Sequence, residues 1–194
     1  MTRRAVAWGL ASRGIAVLRY DKRSRVYTKE LMGQLNGFTV NDEVVDDARA
    51  AAALLAEQAE IEPKRIFVSG HSLGGYLAPR IATGDPQIAG LIIMAGNTRP
   101  MEELLVEQVR YSVGLQGKPT PEGDKLIAQA EKSAADARDP ALKPGTKVNF
   151  MGSIVPGSYI LDLRAYHAPE MAAELHIPML ILQGTEITRC AWKT

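Results

Sequence analysis

The chain has a single cysteine, Cys190, so no disulfide can close within it. Nothing else in the sequence points to the oxidising compartments where disulfides persist. Its three histidines, His71, His167 and His176, have neither paired cysteines nor the close spacing that a metal site needs. No metal and no cofactor are therefore expected. Long apolar runs are also absent: residues 90–96 are among the longest, far short of the about 20 residues that span a bilayer. Residues 5–10 follow Arg3 and Arg4 but are broken by Gly9 and followed by Ser12 and Arg13, which predicts a helix and not a signal peptide. A cytoplasmic location is the default expectation. An excess of one charge is missing too. Lys plus Arg number 23 against 22 Asp plus Glu, for a net charge of +1, which gives no electrostatic case for nucleic acid or an anionic membrane. The densest basic stretch, Arg19, Lys22, Arg23, Arg25 and Lys29, is interleaved with Tyr20 and Tyr27 and reads as a solvated loop.

What is present is an ordinary globular composition over 194 residues, 46% hydrophobic and 23% charged, enough for one domain with a real core. Four short runs are almost wholly apolar: 15–18, 66–68, 91–94 and 179–182. They predict strands covered on both faces. Helical patterns lie between them, and that alternation predicts an α/β fold with a mostly parallel sheet and flanking helices. The clearest helix is expected over 42–60, with Asn41 as N-cap, Asp42 and Glu43 at its positive end, and Pro63 beyond its close. Residues 100–113 and 121–137 predict two more helices, and 140–156, rich in Pro and Gly, predicts an irregular stretch. Together these form a helical, lid-like insertion at about 99–170 in an otherwise single domain spanning 1–194.

The chemistry concentrates in Gly70-His71-Ser72-Leu73-Gly74, between the 66–68 strand and a helix expected to begin near Gly75. This is the Gly-x-Ser-x-Gly pattern of a nucleophile elbow, in which a serine on a strained strand-to-helix turn projects its hydroxyl above the sheet. Glycines at 70 and 74 let strand and helix approach. Ser72 is the candidate nucleophile, and the backbone N–H of Leu73 is the candidate oxyanion donor. His71, next to the nucleophile on a tight turn, cannot reach its hydroxyl and is expected to pack beneath the elbow.

These residues resemble the α/β-hydrolase superfamily, especially bacterial serine esterases, dienelactone hydrolases and acylaminoacyl-type peptidases. The resemblance also runs through 10–23, Ile92-Ile93-Met94-Ala95-Gly96 and 178–184. It implies a carboxylic-ester hydrolase working through an acyl-enzyme on Ser72 without a cofactor, its partner a small ester or a short acyl-peptide. A peptidase or amidase of the same fold is the alternative.

The chain departs from that pattern at both ends. Met1 falls inside the helix that follows the family's oxyanion loop, and the strand that the family places between the 15–18 and 66–68 strands has no counterpart. The expectation is a partial fold, truncated at both ends, with unpaired strand edges that favour self-association. After Gly184 the family's Arg-Asp pair, whose aspartate is the triad acid, is replaced by Thr185-Glu186. No histidine follows, which leaves Glu186 as a substitute acid and His167, oriented by Asp162, or His176 as a substitute base. Reverse translation of 185–194, with third positions free, allows a shifted frame beginning Arg-Asp-Tyr-Gln-Val, so a frameshifted tail is the further expectation. A non-catalytic fragment keeping the elbow as a relic is the alternative from a different functional class.

Overall fold

The computed structural model describes residues 3–28, 37–115, 117–150 and 152–184. Helix α1 (Arg3–Ala11) forms where 5–10 predicts it. It ends in Gly14 at φ 78°, with the Ile15 amide donating to the Leu10 carbonyl, a closure that glycine adopts without steric cost. The 15–18 run does not become the expected strand. Residues 15–22 carry no regular structure and Ile15 is 49% exposed. A strand is held by a ladder to a neighbour, and no described strand pairs with this run, so its apolar content alone does not order it as one.

A single turn, α2 (Arg23–Val26), comes next. A π-helical turn, Asn41–Val45, then leads into α3 (Asp46–Ala56). The expected 42–60 helix thus starts with wider winding and stops four residues early. Asn41 is not its cap: the Asp42 carboxylate accepts from the Thr39 amide at 2.8 Å and the Thr39 hydroxyl at 2.7 Å. Val44, Val45 and Ala52 supply the buried face.

Strand β1 (Ile66–His71) runs straight into the 72–74 turn and is followed by α4 (Leu73–Tyr76) and α5 (Ala78–Ala82). The two short helices are split at Leu77 because Pro79 has no N–H to carry the helical ladder through. Strand β2 (Ile88–Met94) lies parallel to β1, with Gly70 opposite Ile93 and His71 opposite Met94. Helices α6 (Met101–Gly114) and α7 (Pro121–Arg138) match their predicted spans to within a residue. The stretch expected to be irregular holds an antiparallel hairpin, β3 (Lys147–Phe150) and β4 (Ser153–Pro156). Helices α8 (Gly157–Arg164) and α9 (Ala168–Ala173) precede β5 (Met179–Leu182), which pairs in parallel with β2.

The sheet order is therefore β1-β2-β5, all parallel. One core joins it to the 101–173 segment: Ile66, Leu91 and Ile93 share a cluster with Leu77, Phe150 and Ile160. Leu77 is wholly buried, a burial that stabilises by roughly 1.5–3 kcal/mol. Coverage of the sheet is one-sided. Ile66 and Gly70 are buried while Phe67, Ser69 and His71 are exposed, and on β5 Leu180 and Leu182, which share the face of Ser69 and His71, are exposed; Ile181, on the other face of that edge strand, is exposed as well. Strands covered on both faces, as their apolar runs predict, are not what the described residues form.

Candidate functional site

Ser72 has φ 56° and ψ −118°, a conformation that costs a non-glycine residue about 1–3 kcal/mol and survives only where its surroundings enforce it. The enforcement is visible. The Ser72 amide donates to the Met94 carbonyl at 3.0 Å, extending the β1–β2 ladder one step past the strand. Its carbonyl accepts from the Tyr76 amide at 2.8 Å, opening α4. Beneath the turn, a Cβ on Gly70 would lie 2.1 Å from the Gly74 carbonyl oxygen, so only glycine fits there. The second close approach belongs to Gly75 and not Gly74. A Cβ on Gly75 would meet the Gly70 carbonyl and the Gly96 Cα, each at 3.1 Å, while one on Gly74 meets nothing within 4 Å. Gly75 and Gly96 escape a reading based on the five-residue pattern, because they act through a contact between α4 and the segment that follows β2.

A second strained residue sits alongside. Ala95, directly after β2, has φ 48°, and its amide donates to the Leu182 carbonyl at 2.9 Å. The carboxyl ends of β1, β2 and β5 are thus brought level, the end of a parallel sheet where ligands are bound. Asn97 lies two residues after Ala95. Its amide group donates to the Arg99 carbonyl at 2.7 Å, while its Oδ1 is buried with no hydrogen-bond partner among the described residues.

Among the described residues none hydrogen-bonds to the Ser72 hydroxyl. The Leu73 N–H begins a helix of only four residues, so macrodipole support for an oxyanion there is that of a short segment. His71 does not pack beneath the turn: strand alternation turns it to the uncovered face, where it is exposed. His167 and His176 are exposed as well. His167 is not oriented by Asp162, whose carboxylate instead pairs with Arg80 at 2.7 Å and accepts from the Val40 amide at 3.2 Å. Glu186 and the remainder of the tail lie outside the described residues.

Residues 142–173 are bound to the Ser72 turn through the helices behind it. The Tyr76 hydroxyl donates to the Tyr166 carbonyl at 2.9 Å, and the Tyr166 hydroxyl returns a bond to the Tyr76 carbonyl at 2.7 Å. The two rings meet edge to face at 4.9 Å. Burial, then the charges of Glu102 and Glu170, pushes the Tyr76 hydroxyl up to about 12, so it stays a donor at any ordinary pH. Arg80 stands over the Tyr166 ring at 5.7 Å.

Beside Leu73 lies a cleft of about 430 Å³, within the usual range for ligand pockets. Leu73, Met101, Phe150, Val155 and Leu163 line it with apolar surface, and Glu43 is the one charged residue among its described lining residues. The Glu43 carboxylate accepts from the Tyr159 hydroxyl at 2.6 Å and the Ser24 hydroxyl at 2.8 Å, and pairs with Lys22 at 3.4 Å. Burial first, and then the Glu43 charge, holds the Tyr159 hydroxyl well above its ordinary pKa. Apart from Leu73, the five-residue pattern does not reveal these residues, which come from separated parts of the chain. The basic stretch is largely neutralised: Arg23 pairs with Asp47, Lys22 with Glu43, and Arg25 with Asp21.

No helix of the described residues is long and apolar enough to cross a membrane. Residues 3–188 match the family described as serine aminopeptidase, S33. Esterase EstD of Thermotoga maritima is 33% identical over 181 residues, which make up 92% of this chain and 39% of that protein. The chain therefore spans about two fifths of the length of this curated relative. A parallel sheet with flanking helices, a serine on a strained strand-to-helix turn and a match over nearly all residues converge on one placement: the chain belongs to the serine aminopeptidase S33 family, within the α/β-hydrolase superfamily.

Proposed function

We propose that the protein is a serine esterase and that Ser72 is its nucleophile. The observation that carries this reading is the Ser72 backbone at φ 56°, strained between β1 and α4 with glycine behind it. Strain at a serine in that position has a use, since it lifts the hydroxyl clear of the sheet for attack. The Ser72 oxygen bonds to the acyl carbon, the acyl–oxygen bond to the alcohol breaks, and the serine proton leaves with the alcohol. Water then cleaves the acyl-serine and restores the hydroxyl. The Leu73 N–H supports the transient oxyanion. An ester is favoured over an amide because the relative is named an esterase. The family's description as a serine aminopeptidase supports the peptide or amide alternative. Residues 99–170 serve in this reading as the wall of the substrate site within a single domain.

Fluorophosphonate labelling tests it. The expected result is one covalent adduct, mapped to Ser72 and absent from Ser72→Ala. An unlabelled wild-type chain, or labelling that survives Ser72→Ala, overturns the assignment and favours a relic serine in a non-catalytic chain.

A further inference from the structure

We propose that residues 21–28 form a strap along one side of the cleft beside Leu73, fastened by polar and charged side chains alone, so that ionic strength sets how open the cleft stands. The role attributed to Ser72 has no part in this. The strap contains one helical turn, α2, with no buried residue, and Val26 and Tyr27 are 53% and 56% exposed. Little apolar burial therefore holds it down. Its backbone bonds are internal: the Arg25 and Val26 amides donate to the Lys22 carbonyl, and the Tyr27 amide to the Arg23 carbonyl. The Arg25–Asp21 ion pair is internal as well.

Among the described residues, every hydrogen bond and ion pair that leaves the strap ends on Glu43 or Asp47. Arg23 grips both Asp47 carboxylate oxygens, one of them from Nε at 3.0 Å. The Ser24 hydroxyl donates to Glu43 Oε1 at 2.8 Å, and Lys22 Nζ lies 3.4 Å from the same oxygen. Asp42 and Asp46 add a longer-range pull on Arg23. Glu43 and Asp47 stand one helical turn apart, so they present their carboxylates on one side as a two-point anchor. Tyr159 bonds the other Glu43 oxygen from α8, which ties that anchor to the body of the protein independently of the strap. Ser24 and Thr28 bring the strap to the cleft, which they line together with Phe150, Val155 and Leu163. Lifting the strap takes that side away. The anchoring side chains remain 15–41% exposed, so salt reaches them. The screening length falls from about 10 Å at 0.1 M to about 3 Å at 1 M.

Hydrogen exchange tests the fastening. A four-residue helix does not persist once detached, so exchange at the Val26 and Tyr27 amides reports lifting. Raising NaCl from 0.1 to 1 M, or replacing Asp47→Asn, should each speed it about tenfold, while peptides from β1 and α3 keep their rates. The salt arm needs no variant. Exchange that ignores salt, or that rises over the whole chain together with the strap, overturns the proposal. Alkylation tests the closing of the cleft. Leu163, 7% exposed, lines the cleft; as Leu163→Cys in a Cys190→Ser background it should react with uncharged iodoacetamide about tenfold faster in 1 M NaCl, relative to glutathione. Met101→Cys, buried at the same cleft, repeats the measurement. A strap that exchanges faster in salt while both thiols keep their rates would show that it does not close the cleft.

Discussion

At the scale of single residues, two glycines in one five-residue pattern have opposite environments. Gly70 stands 2.1 Å, measured from an added Cβ, beneath the Gly74 carbonyl, whereas a Cβ on Gly74 would enter open space. Gly70→Ala must therefore move the backbone of the strand or the turn, and we expect it to cost more than about 3 kcal/mol. Gly74 lies within α4, where replacing glycine by alanine gains about 0.5–1 kcal/mol. Urea unfolding of the two variants checks this, and similar midpoints for both would contradict the packing described. The pattern alone marks the turn and its serine, since strand, glycine and helix signals are local. It does not separate Gly74 from Gly75, because the demand on Gly75 comes from the Gly70 carbonyl and from Gly96 after β2, approaches that exist only once the turn has packed on the sheet.

At the scale of elements, periodicity foretold α6 and α7 almost residue for residue, yet named the wrong cap for the helix before β1 and carried its end four residues too far. Apolar spacing records which face is buried and leaves open which side chain caps the first turn. Here Asp42 reaches back to the amide and hydroxyl of Thr39, at 2.8 and 2.7 Å. Burial alone would raise the Asp42 pKa, but the bonds from the Thr39 hydroxyl and amide outweigh it and hold the carboxyl below its usual 3.8. A depressed folded value means that the stabilisation is full above the unfolded pKa and is lost as pH falls through the folded one. Asp42→Ala should thus destabilise by about 1 kcal/mol at neutral pH, and the gap from wild type should close as the pH is lowered below 3.8. Urea midpoints across that range provide the measurement; a gap that persists unchanged in acid contradicts the cap. The β3–β4 hairpin was invisible for a related reason: its two four-residue strands are ordered by pairing with each other and by burial of Val148 and Phe150 in the common core.

At the scale of the whole molecule, the described sheet has one uncovered face, and its β1 and β5 edges have no described partner strand. Leu180 is 53% exposed and Phe67 50% exposed on that face. Exposed edges beside apolar surface recruit further strands, so we expect the purified chain to self-associate. Size-exclusion chromatography with light scattering should find oligomers, and a sharp monomer peak with cooperative melting would count against this. The amino-acid sequence by itself determined what local signals and near-complete matching carry: the α/β class, the parallel pairing implied by strand-helix-strand alternation, the serine turn and the family. Tertiary structure decided whatever depends on contacts between distant segments. The 15–18 run has strand composition but no ladder partner, so it stays irregular. His71 faces outward because the helices cover only the other side of β1. Asp162 is bound by Arg80 and the Val40 amide rather than by His167. Glu43 becomes the polar end of a cleft only because Tyr159, which follows it by more than a hundred residues, folds back to hold it. Periodicity registers which face of an element is buried; which partner buries it is settled by the packing of the assembled chain.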